Sequence, residues 1–138
     1  MPRVIRPIEK TDQYVCSLLK HLSDTITNIT EFENFVETLP LNQHMFVMEE
    51  DGEIIGVSSV FIERKIIHGF GKVAHIEDVV ISPRHQARGL GKELVSYLVH
   101  FAKTEKCYKC ILNCVSQKEL FYKKCGFSSS QIQMSYYF

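Results

Sequence analysis

The chain has 138 residues with 16 basic and 16 acidic side chains, a formal net charge of zero, and 45% of its residues are hydrophobic. This length fits one compact domain, so we predict a single domain over residues 1–138. The hydrophobic content excludes a disordered chain. Zero net charge argues against a general binder of nucleic acid or of anionic membranes.

The charges are unevenly distributed along the chain. Residues 1–63 contain 4 basic and 11 acidic residues, whereas residues 64–138 contain 12 and 5. This asymmetry favours an anionic ligand bound by the second half, with scattered surface charge as the alternative. Five cysteines, no secretory signal at the first residues and no apolar run of membrane length predict a soluble protein of the cytoplasm with no membrane partner.

A short strand and two helices are predicted first. Residues 4–8 are β-prone, and an apolar stripe from Val15 to Ile26 repeats at helical spacing. Thr30 and Glu33 have the spacing of a capping box, which predicts a second helix that begins there and ends near Pro40.

Strands and helices then alternate. Residues 44–49 and 53–64 are predicted to form a hairpin closed by Asp51 and Gly52 in a type I′ turn. The remaining predicted elements are a strand over 73–81, a helix from Gly89, a strand over 107–114, a short helix over 119–124 and a final strand from Phe127. The order predicts an α/β fold, with helices packed on a mixed sheet and a right-handed β-α-β crossover.

The strongest local motif is QARGLGK, residues 86–92, between a strand and a helix. Gly89 and Gly91 let backbone approach a ligand, and the free N–H groups of the helix's first turn favour anions. Arg88 and Lys92 add positive charge. The spacing matches neither GxGxxG nor the Walker pattern, which disfavours nucleotide hydrolysis. The alternative is a pair of ordinary turn glycines.

Glu77 and Asp78 are adjacent carboxylates in an otherwise apolar strand. In a regular strand only one of them would face a given pocket, but a bulge would change that. They are candidates for a general base or a substrate anchor, and the alternative is an exposed strand face. His75 is interpreted as structural.

The cysteines do not have the spacing of a metal site. Cys107, Cys110 and Cys114 are interpreted as small buried side chains, and Cys125 has no identified histidine partner. We therefore predict no metal.

The strand–QxxGxG–helix junction resembles the acyl-CoA-binding motif of the GNAT acetyltransferase superfamily. Within the superfamily, several segments are similar to glucosamine 6-phosphate N-acetyltransferases: IERKIIH (62–68), HIEDVV (75–80), QARGLGK (86–92), CYKCILNC (107–114) and FYKKCGF (121–127). The resemblance is dense over residues 61–127 and weaker over residues 1–60.

The resemblance implies the GNAT acyl-CoA N-acyltransferase fold, a mixed and mostly antiparallel sheet that splays open around acetyl-CoA. It implies an enzyme in which the amine of D-glucosamine 6-phosphate attacks acetyl-CoA directly, giving N-acetyl-D-glucosamine 6-phosphate for UDP-N-acetylglucosamine synthesis. Tyr122, Glu77 and Asp78 are the implied catalytic residues, and homodimers with shared active sites are expected.

The resemblance also assigns two sets of binding residues. Acetyl-CoA contacts are expected from Val79, Val80, Ile81, Gln86, Ala87, Arg88, Gly89, Leu90, Gly91, Lys92, Asn113, Tyr122, Lys123 and Lys124. Contacts to the amino sugar are expected from Ser23, Lys65, Ile66, Ile67, His68, Glu77, Asp78, Tyr108 and Lys109.

Three positions depart from the family's pattern. Asn113 stands in place of an acid, so it cannot serve as the general base. Tyr137 stands in place of a basic residue, which removes one expected contact to the 6-phosphate. Lys118 stands in place of Asn, which changes one contact to the cofactor. A GNAT enzyme for another small amine or a peptide N-terminus, and a non-catalytic acyl-CoA sensor, are the alternatives.

Overall fold

A computed structural model describes residues 2–23 and 28–138. Five strands form one sheet in chain order. They are β1 (Arg3–Pro7), β2 (Gln43–Glu50), β3 (Glu53–Arg64), β4 (Lys72–Ile81) and β5 (Cys107–Ile111). Pairs from β1 to β4 are antiparallel, whereas β4 and β5 are parallel. The predicted mixed, mostly antiparallel sheet is confirmed.

Helices connect and cover the strands. They are α1 (Val15–Leu19), α2 (Ile29–Glu37), the kinked turn α3 (Ile67–Phe70), α4 (Leu90–Thr104) and α5 (Glu119–Lys124), with 3-10 turns at Pro83–His85 and Ser116–Lys118. The crossover from β4 to β5 runs through α4, as a parallel pair requires. No helix in the described part of the chain is long and apolar enough to cross a membrane.

Alternation along β2 divides the core between the two faces of the sheet, because successive strand side chains point to opposite faces. Phe46 and Met48 pack in one cluster with Leu94 and Leu98 of α4. Val47 packs on the other face, in a cluster with residues of α1 and α2. The sheet is therefore covered by helices on both faces.

The hairpin turn is confirmed, since Asp51 and Gly52 both have positive φ angles, 53° and 80°. The capping prediction is wrong by two residues. Asn28 is extended and its side chain accepts a hydrogen bond from the Glu31 N–H at 2.8 Å, so the second helix is capped before Thr30 is reached. The first helix is shorter than predicted, and Ile26 lies outside the described residues.

The predicted final strand is wrong. Residues 127–138 have no regular secondary structure, and every residue from Ser128 onward is exposed. A strand requires a partner edge and a surface on which its apolar face can pack. This segment pairs with none of the strands in the described part of the chain, and side chains such as Ile132 and Tyr137 are exposed.

Candidate active site

The site is built where β4 and β5 separate. Their parallel pairing joins only Lys72–His75 to residues 107–111. Beyond this pairing β5 ends, at Ile111, whereas β4 continues to Ile81. A cleft of about 620 Å³ opens beyond the last pair. Along residues 76–81 the β5-facing edge of β4 has no strand partner within the described chain.

Many of the predicted site residues line this cleft. They are Glu77, Asp78, Val79, Val80, Ile81, Gln86, Ala87, Gly89, Leu90, Gly91, Asn113 and Tyr122. They come from β4, the loop that follows it, the first turn of α4, the segment after β5 and α5. The open sheet thus gathers residues that are up to 45 positions apart in the sequence.

A β-bulge places both carboxylates at the cleft. Val57 pairs with Val80 and Ser59 with Glu77, so two steps on β3 face three on β4. Asp78 takes up the extra residue with a φ of 55°, in the left-handed region. The Ser58 hydroxyl donates to the Glu77 carbonyl oxygen at 2.9 Å across the bulge. Burial raises the pKa of Glu77; the charge of Asp78 adds to this and that of His75 opposes it.

Tyr122 reaches the cleft from α5. Its ring packs edge-on against Phe121 and Phe127, with centroid distances of 4.9 and 6.0 Å. Burial raises the pKa of the Tyr122 hydroxyl, and the nearby thiols of Cys114 and Cys125 raise it further. The phenol therefore remains a proton donor throughout the neutral range.

The QARGLGK loop closes one end of the cleft. Ala87 and Gly89 both have positive φ angles, 63° and 78°, so the chain turns sharply into α4. The Gln86 side-chain amide donates to the Ile81 carbonyl oxygen at 3.2 Å and ties the loop to β4. A Cβ at Gly91 would lie 3.1 Å from Cζ of Phe121, so this glycine permits close packing of α4 on α5.

Several predicted cofactor residues do not line the cleft in this chain. The Arg88 guanidinium makes two hydrogen bonds to Glu50, at 3.1 and 3.0 Å. Lys123 pairs with Glu119 at 3.3 Å. Lys92 and Lys124 are exposed and lie outside the lining.

Three of the predicted sugar-binding residues, His68, Tyr108 and Lys109, form a second cluster at the opposite end of the β4–β5 pair, whereas Glu77 and Asp78 line the cleft. The rings of His68 and Tyr108 lie 4.2 Å apart, and the Lys109 ammonium lies 5.9 Å from the centre of the Tyr108 ring. Lys109 pairs with Val73, four residues before Glu77, which is roughly 13 Å along β4. The predicted sugar-binding residues of this region do not line the cleft of their own chain; they are Lys65, Ile66, Ile67, His68, Tyr108 and Lys109.

The family model for the GNAT acetyltransferases matches residues 12–127. This chain belongs to the GNAT acetyltransferase family. It is 46% identical over 94 residues to glucosamine 6-phosphate N-acetyltransferase of Arabidopsis thaliana, covering 67% of this chain and 63% of that protein. The rice glucosamine 6-phosphate N-acetyltransferase 1 is 37% identical over 97% of this chain and 86% of its own length.

A solved structure supports the same placement. The crystal structure of glucosamine-6-phosphate N-acetyltransferase from Arabidopsis thaliana superposes with a TM-score of 0.94 and 37% identity, over 100% of this chain and 99% of that chain. The resemblance and the GNAT fold predicted from the sequence are confirmed. GNAT acetyltransferases use acetyl-CoA as their cosubstrate.

Part of the GNAT cleft was not predicted from the sequence. The additional lining residues are His21, Leu22, Ile76, His85, Leu112, Cys114, Val115 and Phe121, and Lys118, expected from the resemblance at a cofactor contact, also lines the cleft. Leu112 to Val115 directly follow β5. Ligands often bind beyond the carboxyl ends of parallel strands, so this position in the sequence could have predicted that these residues line the cleft. Ser23 lies beyond the lining although His21 and Leu22 belong to it. Among the described residues no group of His, Cys, Asp and Glu could hold a metal ion.

Proposed function

We propose that this protein transfers the acetyl group of acetyl-CoA to the amine of D-glucosamine 6-phosphate, giving N-acetyl-D-glucosamine 6-phosphate and CoA. The observation that carries the proposal is the meeting of a bulged carboxylate pair and a protonated tyrosine in the cleft between β4 and β5. The sequence similarity to enzymes that are named for this reaction supports the choice of amine.

The cleft suits an extended thioester with a diphosphate. The β5-facing backbone edge of Val79 to Ile81 has no strand partner in the described part of the chain and can hydrogen-bond the amide-containing arm of acetyl-CoA. The N–H groups from Ala87 to Lys92 lead into the first turn of α4, where the helix dipole favours phosphate oxygens. Asn113 and Lys118 lie in the lining after β5 and can make further polar contacts.

The carboxylates serve the attacking amine. A sugar amine must be uncharged to attack, and its nitrogen then forms a bond to the thioester carbonyl carbon while the carbon–sulfur bond breaks. The raised pKa of Glu77 makes it a stronger base than an ordinary carboxylate, so Glu77 accepts the amine proton directly or through a water. Asp78 orients the amine from the same bulge, and a backbone N–H near Val79 stabilises the oxyanion.

Tyr122 serves the departing thiolate. Full proton transfer from an ordinary tyrosine, pKa about 10, to a thiolate of pKa near 8.5 is uphill by about 2 kcal/mol. Burial raises the pKa of Tyr122, which makes complete transfer still less favourable. Its contribution is therefore a hydrogen bond donated to the sulfur as negative charge develops.

Release of CoA with a panel of amines tests the proposal. Glucosamine 6-phosphate, glucosamine, spermidine and a peptide with a free N-terminus are compared, and product is detected chromatographically because the five free cysteines would react with thiol dyes. We expect turnover to be fastest with glucosamine 6-phosphate. Equal rates with glucosamine and its 6-phosphate would contradict recognition of the phosphate group. Binding of acetyl-CoA without turnover of any amine would favour an acyl-CoA sensor.

We further propose a homodimer in which each cleft receives the sugar-binding cluster of the other subunit. The cluster of His68, Tyr108 and Lys109 lies too far along β4 to reach the carboxylates of its own chain. The neighbouring Ile66 and Phe70 are 80% and 78% exposed, and the C-terminal segment is also apolar and exposed, which provides a surface for a second copy.

Subunit mixing tests the shared site. One variant carries Tyr122→Phe and the other Tyr108→Ala with Lys109→Ala, and the two are co-expressed with different tags. If sites are shared, the mixed dimer contains one intact site and recovers activity that both pure variants lack. Mixed dimers with only the averaged activity of the two variants would show that each site is contained in one chain.

The free cysteines are typical of a reducing compartment, so we place the reaction in the cytoplasm.

A further inference from the structure

Four charged side chains connect the sheet to Arg88, within the QARGLGK loop, and to Glu93, directly after it. Arg88 donates from both terminal nitrogens to the two carboxylate oxygens of Glu50, at 3.1 and 3.0 Å. Glu50 also accepts from Nη1 of Arg3 at 3.0 Å. Arg3 in turn donates from Nε and Nη2 to the two oxygens of Glu93, at 2.7 and 3.0 Å. We call Arg3, Glu50, Arg88 and Glu93 the ion clamp.

The clamp holds the loop from two directions. Arg3 and Glu50 are paired residues of β1 and β2, so they belong to the rigid sheet. Arg88 precedes α4 and Glu93 lies in its first turn. The two ends of the clamp therefore enclose residues 89–92, whose N–H groups are proposed to bind the diphosphate.

The clamp is stronger than isolated surface ion pairs, which contribute little because water screens them. Both outer pairs are bidentate, and the inner contact joins them into one network. Only 13% of the Glu50 side chain is exposed. Hydrogen bonds from Arg88 and Arg3 lower the pKa of Glu50 to about 2, so Glu50 is charged throughout the neutral range.

The loop contains one strained residue. Ala87 has a φ of 63°, a conformation that a residue with a Cβ adopts at a cost, whereas the φ of 78° at Gly89 is accessible to glycine. An external restraint on the neighbouring Arg88 opposes relaxation of Ala87 towards ordinary angles. In addition, Glu50 and Glu93 place negative charge beside an anion site, and the clamp neutralises both of them.

We propose that Arg3 and Glu50 are positioning residues for acetyl-CoA, which hold residues 88–93 in the binding conformation before the ligand arrives. This inference rests on the proposed binding of acetyl-CoA in the cleft. A preformed loop strengthens binding because less conformational freedom is lost when the ligand is bound. The clamp touches neither the amine nor the thioester, so it acts on affinity and not on the chemical step.

Glu50→Gln and Arg3→Gln test the clamp. We expect the Kd for acetyl-CoA, measured by titration calorimetry, to rise roughly 3- to 10-fold, while kcat at saturating acetyl-CoA is retained. Hydrogen exchange without ligand should become faster at amides 87–93 and remain unchanged in β2 and β3. Glu50→Asp, which keeps the charge, should recover part of the affinity.

A matched control is Lys10→Gln. It removes one charge from the exposed pair of Lys10 and Glu37, whose atoms lie 2.6 Å apart, and neither residue lines the cleft. This variant should bind acetyl-CoA as the wild type does. If Glu50→Gln fails to fold, Arg3→Gln still decides the question, because it removes an exposed partner from the same network.

Two results would overturn the inference. Wild-type Kd and wild-type exchange in both clamp variants would show that the loop does not depend on the clamp. Tighter binding by Glu50→Gln would show that Glu50 competes with the phosphates for Arg88. A wild type that binds no acetyl-CoA would instead contradict the proposed function, and the exchange of amides 87–93 would still show whether the clamp orders the loop.

Discussion

The Ser58 hydroxyl donates a 2.9 Å hydrogen bond to the backbone carbonyl of Glu77, from a strand position with no solvent exposure. The bond crosses the bulge at which β4 carries one more residue than β3. A bulge leaves a backbone group without its ladder partner, and here a serine side chain replaces that partner. Ser58 therefore connects the buried sheet to the carboxylates of the cleft.

Ser58→Ala should lower both stability and activity. The Glu77 carbonyl would lose its partner in a buried position, which costs about 1–2 kcal/mol of unfolding free energy. The bulge would then relax and misplace both carboxylates, with a fall in kcat/KM of about tenfold. Denaturant unfolding and steady-state kinetics measure these effects. Ser59→Ala is the control, because Ser59 is similarly buried but points to the opposite face of β3; equal effects in the two variants would contradict the assignment.

The fold was predictable where its signals are local. The Asp51-Gly52 turn, the strand that contains Glu77 and the helix from Gly89 follow from turn chemistry and from hydrophobic period, and the structure contains all three. The C-terminal strand was predicted incorrectly because β-propensity does not reveal whether an edge is available. Its side chains lie exposed beyond α5.

The site was predictable in its residues and less so in its geometry. Adjacent carboxylates could be located in the sequence, but the bulge that directs them depends on pairing with β3 and on Ser58, 19 residues earlier. Arg88 could be recognised as a positive charge near a phosphate loop. Its bond to Glu50 joins residues 38 positions apart, and no local pattern indicates such a contact.

Glu77→Gln should stabilise the protein at neutral pH while it removes activity. Burial raises the pKa of Glu77 in the folded state, so ionisation of this carboxyl costs folding free energy once the pH exceeds that of ordinary carboxyls. The variant's Tm should therefore exceed that of the wild type at pH 7, and the difference should vanish near pH 4, where the wild-type carboxyl is protonated. kcat/KM should fall by at least about 100-fold.

Thermal unfolding across pH 4 to 8 measures this difference. Glu9→Gln is the control for the loss of one carboxylate, since Glu9 is exposed and lies outside the cleft. A Tm for Glu77→Gln that is lower than the wild-type value at pH 7 would mean that the ionised Glu77 makes a favourable interaction in the folded state.

Tyr122→Phe should reduce kcat roughly 100-fold, as expected for removal of one donor to developing charge, with a much smaller change in the KM for acetyl-CoA. The ring remains, so its packing against Phe121 and Phe127 is retained. Tyr97→Phe is the matched control. Tyr97 lies on α4, packs against Phe46 of β2 and does not line the cleft. An unchanged kcat in Tyr122→Phe would remove this residue from the mechanism.

Gly91→Ala should impair activity through α5. The added Cβ would approach Cζ and Cε1 of Phe121 to 3.1 and 3.3 Å, which is closer than ordinary carbon contacts. Because Phe121 precedes Tyr122 on the same helix, a shift of its ring moves the tyrosine, and kcat should fall several-fold although alanine favours the helix. Phe121→Leu combined with Gly91→Ala should restore part of kcat by making room for the methyl group.

Gly89→Ala separates this packing effect from backbone strain. A Cβ at Gly89 would meet no atom within 4 Å, but its φ of 78° is unfavourable for alanine, so this variant should lose about 1 kcal/mol of stability. Phe121→Leu should not rescue it, because the strain lies in the backbone and not in a contact with α5. Rescue of Gly89→Ala by Phe121→Leu, or failure to rescue Gly91→Ala, would show that the contact between α4 and α5 does not set the position of Tyr122.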